Sequence, residues 1–173
     1  MKTALLKELQ QAREQKRQLV LATNLTTGFE KILYPFEIKD TSDLYEAART
    51  ALRTDKPATI ELEEGPVFLN IFNPPLRLFI VGAVHIAQAL VPMAANADYE
   101  VTVIDPRRSF GSAFRFPNVS LDNRWPDEVM ADLQPDRRSA IVTLTHDAKL
   151  DDPALQHALR SHAFYIGALG SGR

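Results

Sequence analysis

The hydrophobic and polar positions of residues 77–105 fall into blocks that predict a strand, a helix and a second strand. Residues 78–81 are a short run of bulky apolar side chains that ends at a glycine, which is typical of a buried parallel strand. Apolar residues then recur with a helical period over residues 85–95. Residues 101–104 form a second apolar run, and Asp105 follows it directly. This order predicts a βαβ unit with an acid at the end of its second strand.

Further apolar runs and helical patterns follow this unit. Residues 140–144 and 164–166 are predicted strands, and Pro126 is predicted to open a helix between them and the βαβ unit. Asp152-Pro153 is predicted to cap and start the last helix. Strands that alternate with helices indicate the α/β class, here a Rossmann-like parallel sheet flanked by helices.

The pattern before residue 77 predicts a small α+β segment. Its predicted elements are a polar helix (1–18), a strand (19–24), an edge strand interrupted by Pro35 (31–38), a helix from Thr41 or Ser42 to Arg53, and a hairpin (59–62 and 67–72). Asn73-Pro74-Pro75 is typical of a linker. We therefore predict an N-terminal region over residues 1–73 and a Rossmann-like domain over residues 77–173.

Composition narrows the class of protein. The chain has 173 residues, a net charge of −2 and no cysteine. Without cysteine it has no disulfide, no thiolate nucleophile and no cysteine-ligated metal site. Its charge gives no basis for a nucleic-acid partner. It contains no run of about 18 apolar residues that would suit a membrane span and no signal-peptide pattern, so we expect a cytoplasmic protein without membrane contacts.

The turn after the first strand of the βαβ unit carries most of a dinucleotide-binding fingerprint. In the pattern G-x-G-x-x-G/A, Gly82 is the first glycine and Ala87 the small last residue, but Val84 replaces the middle glycine. That glycine lets backbone amides approach a pyrophosphate, so Val84 is expected to crowd a phosphate there. Asp105 follows Gly82 at roughly the 20-residue spacing at which an acid reaches a ribose hydroxyl. Two alternatives stay open: an NAD(P)-binding oxidoreductase, and a ligand-free Rossmann-like interaction module.

Polar residues at the ends of the other predicted strands are expected to share one edge with this turn, because ligands of doubly wound sheets bind at the carboxyl ends of strands. Helix capping is the simpler role for Asp151 and Asp152. Neither His85 nor His146 has an evident nucleophile partner, and no metal-ligand spacing occurs, so no catalytic pair and no metal site are predicted. The candidate cofactor-binding residues are Gly82, Val84, His85, Asp105, Arg107, Thr145, His146, Asp147, Asp151, Gly167, Gly170 and Ser171.

The loop after Asp105 combines arginines with aromatic residues. Arg107 and Arg108 are placed either to meet a phosphate, including the 2′-phosphate of NADP, or to be solvated. Phe110, Phe114 and Phe116 either stack on a flat ligand or pin the loop onto the sheet, and pinning is the commoner use of such residues.

Several blocks in this order resemble the XdhC/CoxF family, the accessory proteins of molybdenum hydroxylases such as xanthine dehydrogenase and CO dehydrogenase. The resemblance covers residues 77–173 and departs from the family at Val84 and Gly172. The blocks are R-L-F-I-V-G-A-V-H-I-A-Q-A-L (77–90), V-T-V-I-D-P-R (101–107), F-R-F-P (114–117), L-T-H-D-A-K-L-D (144–151) and Y-I-G-A-L-G-S-G-R (165–173).

The resemblance fades upstream of residue 77. Members of the family usually carry an N-terminal domain with a glycine-rich, cysteine-containing element, whereas residues 19–72 show neither, so this chain looks like a member with a reduced N-terminal domain. Family proteins also continue past the last motif, so we expect the cover of the final strand to come from a longer chain, a partner chain or a domain swap. A homodimer through the N-terminal segment is a further expectation.

The resemblance implies a molybdenum cofactor-binding maturation factor, or chaperone, rather than an enzyme with turnover. Such proteins bind molybdopterin-type cofactor, protect it, help it acquire its terminal sulfur from a cysteine desulfurase, and deliver it to the apo molybdenum hydroxylase. On this chain it implies that Asp105 meets a nucleotide ribose and that Gly82 and His85 meet a phosphate or the pterin edge. His146, Asp147 and residues 167–171 are then expected to hold the remainder. Which hydroxylase is served, and whether the cofactor carries a nucleotide, stay open.

Overall fold

The structure, a computed structural model, describes residues 3–170. The chain divides into two compact units, Met1–Pro74 and Pro75–Arg173. Each unit has its own sheet and its own hydrophobic core.

The first unit is an antiparallel sheet with a helix on each face. Its strands stand in the order β2-β1-β4-β3. Helix α2 covers one face over Val20, Leu33 and Leu69, and helix α1 covers part of the other face over Leu19 and Leu21. The elements are α1 (Thr3–Glu14), β1 (Leu19–Asn24), β2 (Glu30–Leu33), α2 (Asp43–Thr54), β3 (Ala58–Leu62) and β4 (Gly65–Phe72).

Strand β2 is shorter than the pattern of residues 31–38 predicted. It is an edge strand, as expected, but it ends at Leu33. The reason is local, because the amides of Glu37 and Ile38 both donate to the carbonyl oxygen of Tyr34 and turn the chain around Pro35.

The second unit is a five-stranded, all-parallel sheet with the order β7-β6-β5-β8-β9. Helix α3 packs on one face, and helices α4 and α5 pack on the other. This arrangement confirms the predicted α/β, Rossmann-like class. The elements are β5 (Arg77–Val81), α3 (His85–Asn96), β6 (Glu100–Ile104), β7 (Ser120–Asp122), α4 (Pro126–Leu133), β8 (Ser139–Thr143), α5 (Ala148–Arg160) and β9 (Tyr165–Ala168).

Two local predictions for this unit were incomplete or wrong. Strand β7 is only three residues long and was not predicted, because Ser120–Asp122 contains one apolar residue and therefore no strand pattern. Helix α5 begins at Ala148, five residues before the predicted start at Pro153, and Asp147 caps it by accepting a hydrogen bond of 3.0 Å from the amide of Lys149. Asp152-Pro153 therefore lies inside the helix.

The sheet has a topological switch point at the carboxyl end of β5. From β5 the chain crosses to β6 on one side, and it later returns to β8 on the other side. Such a switch point leaves a crevice between two diverging connections, where doubly wound sheets bind their ligands. We call the turns after β5, β6, β8 and β9 the rim (residues 82–85, 105–107, 144–147 and 169–170).

Candidate functional site

Gly82 brings the ends of β5 and β8 into direct contact. It has a φ of +107°, a conformation that residues with a Cβ rarely adopt. A Cβ at this position would collide with Cγ2 of Thr145 and would lie 3.3 Å from the Thr145 amide nitrogen. Glycine is therefore needed both for the backbone conformation and for the close packing of the two strand ends.

Val84 occupies the place of the middle glycine without backbone strain. Its φ is −85°, and its side chain packs partly against the hydrophobic cluster beneath α3. It is also the N-cap residue of α3, and its apolar side chain accepts no hydrogen bond from the first turn of that helix. The amides of that turn therefore point toward the rim with the positive end of the helix dipole behind them. His85 follows as the exposed first residue of the helix.

Asp105 is a buried acid whose carboxylate is fully hydrogen-bonded inside the protein. Oδ2 accepts from the amide of Ala83 at 2.9 Å and from Nη2 of Arg107 at 2.8 Å. Oδ1 accepts from the amide and from Nε of Arg107, both at 2.9 Å. The side chain has no exposed surface. Burial alone would raise the pKa of Asp105, but the hydrogen bonds from Arg107 and Ala83 hold this pKa below its usual value.

Arg107 covers Asp105 and presents its outer edge to solvent. Its side chain is 35% exposed, and its guanidinium carbon lies 4.4 Å from the centroid of the Phe110 ring. The hydrogen bond to Asp105 raises the pKa of Arg107, and the charges of Asp147 and Asp151 raise it further. The negative charges of the segment after β8 therefore attract the positive charge of Arg107 across the rim.

Arg115 holds the loop after Asp105 against the glycine turn. The sequence analysis did not predict Arg115 as a site residue. Its Nη1 donates to the carbonyl oxygens of Ala83 and Phe110, both at 2.8 Å, and its Nη2 donates to Oε1 of Gln88 at 3.0 Å. Phe116 is 2% exposed and pins the loop to the core. The only available signal for Arg115 was its place between two phenylalanines.

Gly111 and Asn123 are two further residues that sequence reasoning missed. Nδ2 of Asn123 donates to the carbonyl oxygens of Asp105 and Gly111, at 2.8 and 3.1 Å. A Cβ at Gly111 would lie 2.7 Å from that amide nitrogen. Together they fix the backbone that carries Asp105. No sequence motif marks them, because their role depends on contacts between distant segments.

The turn after β8 is organised by the second buried acid, Asp151. Oδ1 of Asp151 accepts from the hydroxyl of Thr145 at 2.7 Å, and Oδ2 accepts from the amide of His146 at 2.9 Å. The Thr145 hydroxyl in turn accepts from the amide of Asp147 at 3.0 Å. The sequence suggested that Asp151 caps the helix. Instead, Asp147 is the cap, and Asp151 fixes the turn before the helix.

His146 stands in the left-handed region, with a φ of +60°. Lys16, Asp55, Asp98 and Gln134 also have positive φ, and each lies just beyond a helix, where this conformation commonly ends the helix. Asn118, with a φ of +60°, lies in the loop before β7. His146 instead lies at a strand end, and its imidazole is exposed. A non-glycine residue held in this way at the edge of a sheet is typical of a functional position.

The strain at His146 gives a stability prediction. We expect the variant His146→Gly to be more stable than His146→Ala by about 1 kcal/mol, because both lose the imidazole but only alanine keeps the cost of the left-handed backbone. Urea denaturation of both variants measures this difference. Equal stabilities, or a more stable alanine variant, would contradict a left-handed His146.

The end of β9 contributes backbone rather than charge. The amide of Leu169 donates to the carbonyl oxygen of Thr143 at 3.0 Å, which extends the ladder between β8 and β9. Gly167 lies beneath the Tyr165 ring, since a Cβ there would approach that ring to 2.9 Å, whereas Gly170 has open space around it. Ser171 lies outside the described residues.

Two of the three acids at this edge, Asp105 and Asp151, face the protein interior, whereas Asp147 is exposed. Asp105 and Asp151 are buried and accept hydrogen bonds from their own loops, and Asp147 caps α5. Arg107 and the first turn of α3 are hydrogen-bond donors on the open side, beside the exposed His85 and His146. The structure places all the predicted residues within residues 3–170 on or next to this edge, but no hydrogen bond in that range joins His85 to another of them.

The remaining chemistry of the described chain is limited. Among residues 3–170, no group of three or more His, Asp or Glu side chains is placed to hold a metal ion. No helix in the same range is long and apolar enough to cross a bilayer.

Comparison with known protein families decides which family this sheet belongs to. The XdhC Rossmann domain matches residues 78–173, which is more than half of the chain. The chain belongs to the XdhC family. This result confirms the resemblance that the motifs of the second unit indicated.

Two curated proteins are similar to the chain. It is 33% identical over 102 residues to the molybdenum cofactor insertion chaperone PaoD of Escherichia coli (strain K12), covering 59% of this chain and 26% of that protein. It is 27% identical over 106 residues to a probable xanthine dehydrogenase subunit of Bacillus subtilis (strain 168), covering 61% of this chain and 32% of that protein. The alignments thus span about a quarter to a third of the length of these XdhC relatives.

A solved structure extends the likeness in fold to both units. A xanthine dehydrogenase from Bacillus halodurans matches 97% of this chain and 52% of its own chain, with a TM-score of 0.69 and 21% sequence identity. At this identity the match concerns the fold alone. It shows that the small antiparallel unit, like the XdhC Rossmann unit, has a counterpart of known structure.

Proposed function

We propose that this chain is a molybdenum cofactor-binding maturation factor for a molybdenum hydroxylase of the xanthine dehydrogenase or CO dehydrogenase type. Its membership of the XdhC family and its similarity to a molybdenum cofactor insertion chaperone support this role. The molybdenum cofactor is cargo in this proposal. The chain binds it, protects it, and hands it to the apo-hydroxylase.

The single observation that carries the proposal is the direction of charge on the rim. Molybdopterin is a flat heterocycle with a phosphate, so its site needs cationic or N–H donors and little exposed negative charge. Arg107 and the first turn of α3 supply such donors, while the carboxylates of Asp105 and Asp151 are used inside the protein. The residues present therefore fit a phosphate-bearing cofactor.

Each rim residue has a separate task in this proposal. Arg107 and the α3 amides bind the phosphate, and Gly82 keeps the two strand ends close enough to form one surface. His85 and His146 flank the ligand with exposed imidazoles. Gly167 and Gly170 border the ligand on the β9 side, and the role of Ser171 stays a prediction from the sequence. Val84 gives it an apolar neighbour, since its side chain is only partly buried.

Delivery and sulfuration require partners. We propose that the apo molybdenum hydroxylase receives the cofactor at the rim, and that a cysteine desulfurase supplies the terminal sulfur while the cofactor is bound. The chain itself has no cysteine, so the sulfur must pass from the partner to the cargo without a thiol of this chain as carrier. Two further predictions from the sequence remain: that the chain forms a homodimer through its N-terminal unit, and that it works in the cytoplasm.

The alternatives fit the rim less well. An NAD-dependent oxidoreductase of this fold needs an acid that accepts the ribose hydroxyls, and the Asp105 carboxylate already accepts four hydrogen bonds. A ligand-free interaction module gives no reason for the outward donors. NAD(P) therefore stays an alternative cofactor that a binding experiment has to exclude.

A transfer experiment tests the proposed function. The chain is loaded with molybdenum cofactor and mixed with an apo molybdenum hydroxylase, and the molybdenum content and activity of the re-isolated hydroxylase are measured. We expect Arg107→Ala to transfer about tenfold less cofactor, because a charged hydrogen bond to the phosphate is lost. Arg124→Ala is the matched control, since Arg124 pairs with Asp122 at the end of β7 in the same Asp-x-Arg arrangement. Loading by free cofactor that equals loading by the chain would contradict the proposal.

A further inference from the structure

The connection from β6 to β7 crosses between two parallel strands without a helix. Such a crossover usually contains an α-helix that covers the sheet, but residues 105–119 contain none. Phe116 is the buried anchor of this connection, and it packs in the same cluster as the inner face of α3. Most of the other residues are exposed or half-buried. We call residues 106–118 the aromatic loop.

The aromatic loop is basic, although the whole chain has a net charge of −2. It contains Arg107, Arg108 and Arg115 and no Asp or Glu. Arg107 is paired with the buried Asp105. Arg108 is exposed, and Arg115 donates to carbonyl and amide oxygens rather than to a carboxylate. The outer surface of the loop is therefore positively charged.

Two phenylalanines of the aromatic loop are exposed among these arginines. The Phe114 side chain is 96% exposed, the largest value for a large apolar residue within residues 3–170. Phe110 is 40% exposed, and its ring centroid lies 4.4 Å from the guanidinium carbon of Arg107 and 5.7 Å from that of Arg115. Phe114 adds nothing to the core of this unit. Exposed apolar surface rimmed by charged groups is typical of a site that a partner covers.

Hydrogen bonds fix the backbone on which Phe114 is carried. The amides of Arg115 and Phe116 both donate to the carbonyl oxygen of Ser112 at 3.0 Å. Nη1 of Arg115 also joins the loop to the carbonyl oxygen of Ala83 in the glycine turn. A loop that is already fixed loses little conformational freedom when a partner binds. Phe114 is therefore held ready for contact, beside the rim.

From this arrangement we infer that the aromatic loop is a docking surface for a protein whose facing surface is acidic around an apolar hollow that receives Phe114. Aromatic and arginine side chains are enriched at protein interfaces, and positive charges select a partner of complementary charge. The inference rests on the proposed function and deepens it, because the partner is the apo molybdenum hydroxylase that receives the cofactor. Docking on the aromatic loop places this recipient directly beside the rim.

The test measures binding of the hydroxylase separately from binding of the cofactor. Phe114→Ala is expected to bind the apo-hydroxylase about tenfold more weakly in surface plasmon resonance, and to bind molybdenum cofactor like the native chain in calorimetry. Phe164→Ala is the matched control, because Phe164 is also exposed in the second unit but precedes β9, at the opposite edge of the sheet from β7. It should bind both like the native chain.

A charge reversal tests the acidic character of the partner. Arg108→Glu is expected to slow association with the apo-hydroxylase about fivefold at about 50 mM salt, and the difference should shrink at about 500 mM because salt screens the attraction. Arg137→Glu is the control, because Arg137 is exposed in the segment before β8, at the amino end of the sheet. Equal slowing by the two variants would reflect net charge alone and would contradict an acidic surface facing the loop.

The outcomes separate this inference from the proposed function. Unchanged hydroxylase binding by Phe114→Ala would overturn the inference, while cofactor transfer by the same variant would leave the proposed function in place. Loss of binding to the cysteine desulfurase alone would overturn it too, because the surface would then serve the sulfur donor. Tight binding of a single-stranded oligonucleotide that Phe114→Ala weakens would contradict a protein partner. A native chain that binds neither hydroxylase nor cofactor would overturn the inference and the proposed function together.

Discussion

Replacing Asp105 by alanine is expected to lower the free energy of unfolding of the second unit by about 3–5 kcal/mol, because the change removes a buried carboxylate that accepts four hydrogen bonds. Arg107 would lose two side-chain hydrogen bonds, and the amides of Ala83 and Arg107 would each lose an acceptor. The glycine turn and the loop after β6 would then separate. We expect this to be the largest effect of any single substitution at the rim.

Asp122→Ala is the control for this prediction. Asp122 also ends a parallel strand and also pairs with an arginine two residues later, but its side chain is 24% exposed and that of Arg124 is 49% exposed. An exposed pair of this kind contributes about 1 kcal/mol or less. Trp125 is the one tryptophan of the chain and lies in the second unit, so its fluorescence in guanidinium reports on that unit. Equal losses in the two variants would contradict the account of Asp105.

The pH dependence provides a second measurement on Asp105. The pKa of this carboxyl is lowered in the folded protein, so its contribution is complete above the unfolded pKa of about 3.9. It is lost as the pH falls through the native pKa. The stability difference between the native chain and Asp105→Asn should therefore be constant from neutral pH to about pH 5 and should shrink in more acidic solution. A difference that grows on acidification would contradict the hydrogen-bonded, ionised state.

Gly82→Ala is expected to destabilise the second unit by about 2–4 kcal/mol, the second largest effect. Part of the cost is the positive φ, and part is the collision of the new Cβ with Thr145. Gly170→Ala is the control, because a Cβ there meets no atom within 4 Å, and we expect it to change stability by less than about 0.5 kcal/mol.

A double variant separates the two causes at Gly82. Thr145→Ser removes Cγ2 but keeps the hydroxyl that donates to Asp151. In that background Gly82→Ala should cost less than in the native chain, by the part due to the collision, while the cost of the backbone conformation should remain. Equal costs in both backgrounds would show that Thr145 does not pack against the turn. Urea or guanidinium denaturation followed at Trp125 measures each corner of the cycle.

The order of strands and helices could be predicted from local sequence patterns, whereas the packing around Gly82 could not. An apolar run, a glycine and a helical period are local signals, and they predicted β5, the turn and α3. The packing of Gly82 against Thr145 depends on two segments more than 60 residues apart in the sequence. No local pattern of either segment contains that contact.

The orientation of the rim acids shows where sequence reasoning stopped. The fingerprint identified Asp105 as an acid at the end of β6, but a motif does not tell whether a carboxylate faces a ligand or the protein. That depends on Arg107 folding back over it, and on Ala83 donating to it from another turn. Asp151 illustrates the same limit, because its hydrogen bonds to Thr145 and His146 reach backward from the helix to the turn before it.

The most direct test of the central claim is a ligand titration of the native chain that follows thermal unfolding by Trp125 fluorescence. Molybdenum cofactor, NAD and NADP are added separately at equal concentrations. The account predicts that molybdenum cofactor stabilises the second unit, by about 2.7 kcal/mol at 100 times its dissociation constant, and that NAD and NADP stabilise it much less. Stabilisation by NAD or NADP without any effect of the cofactor, or no stabilisation by any of the three, would contradict a cofactor-binding rim.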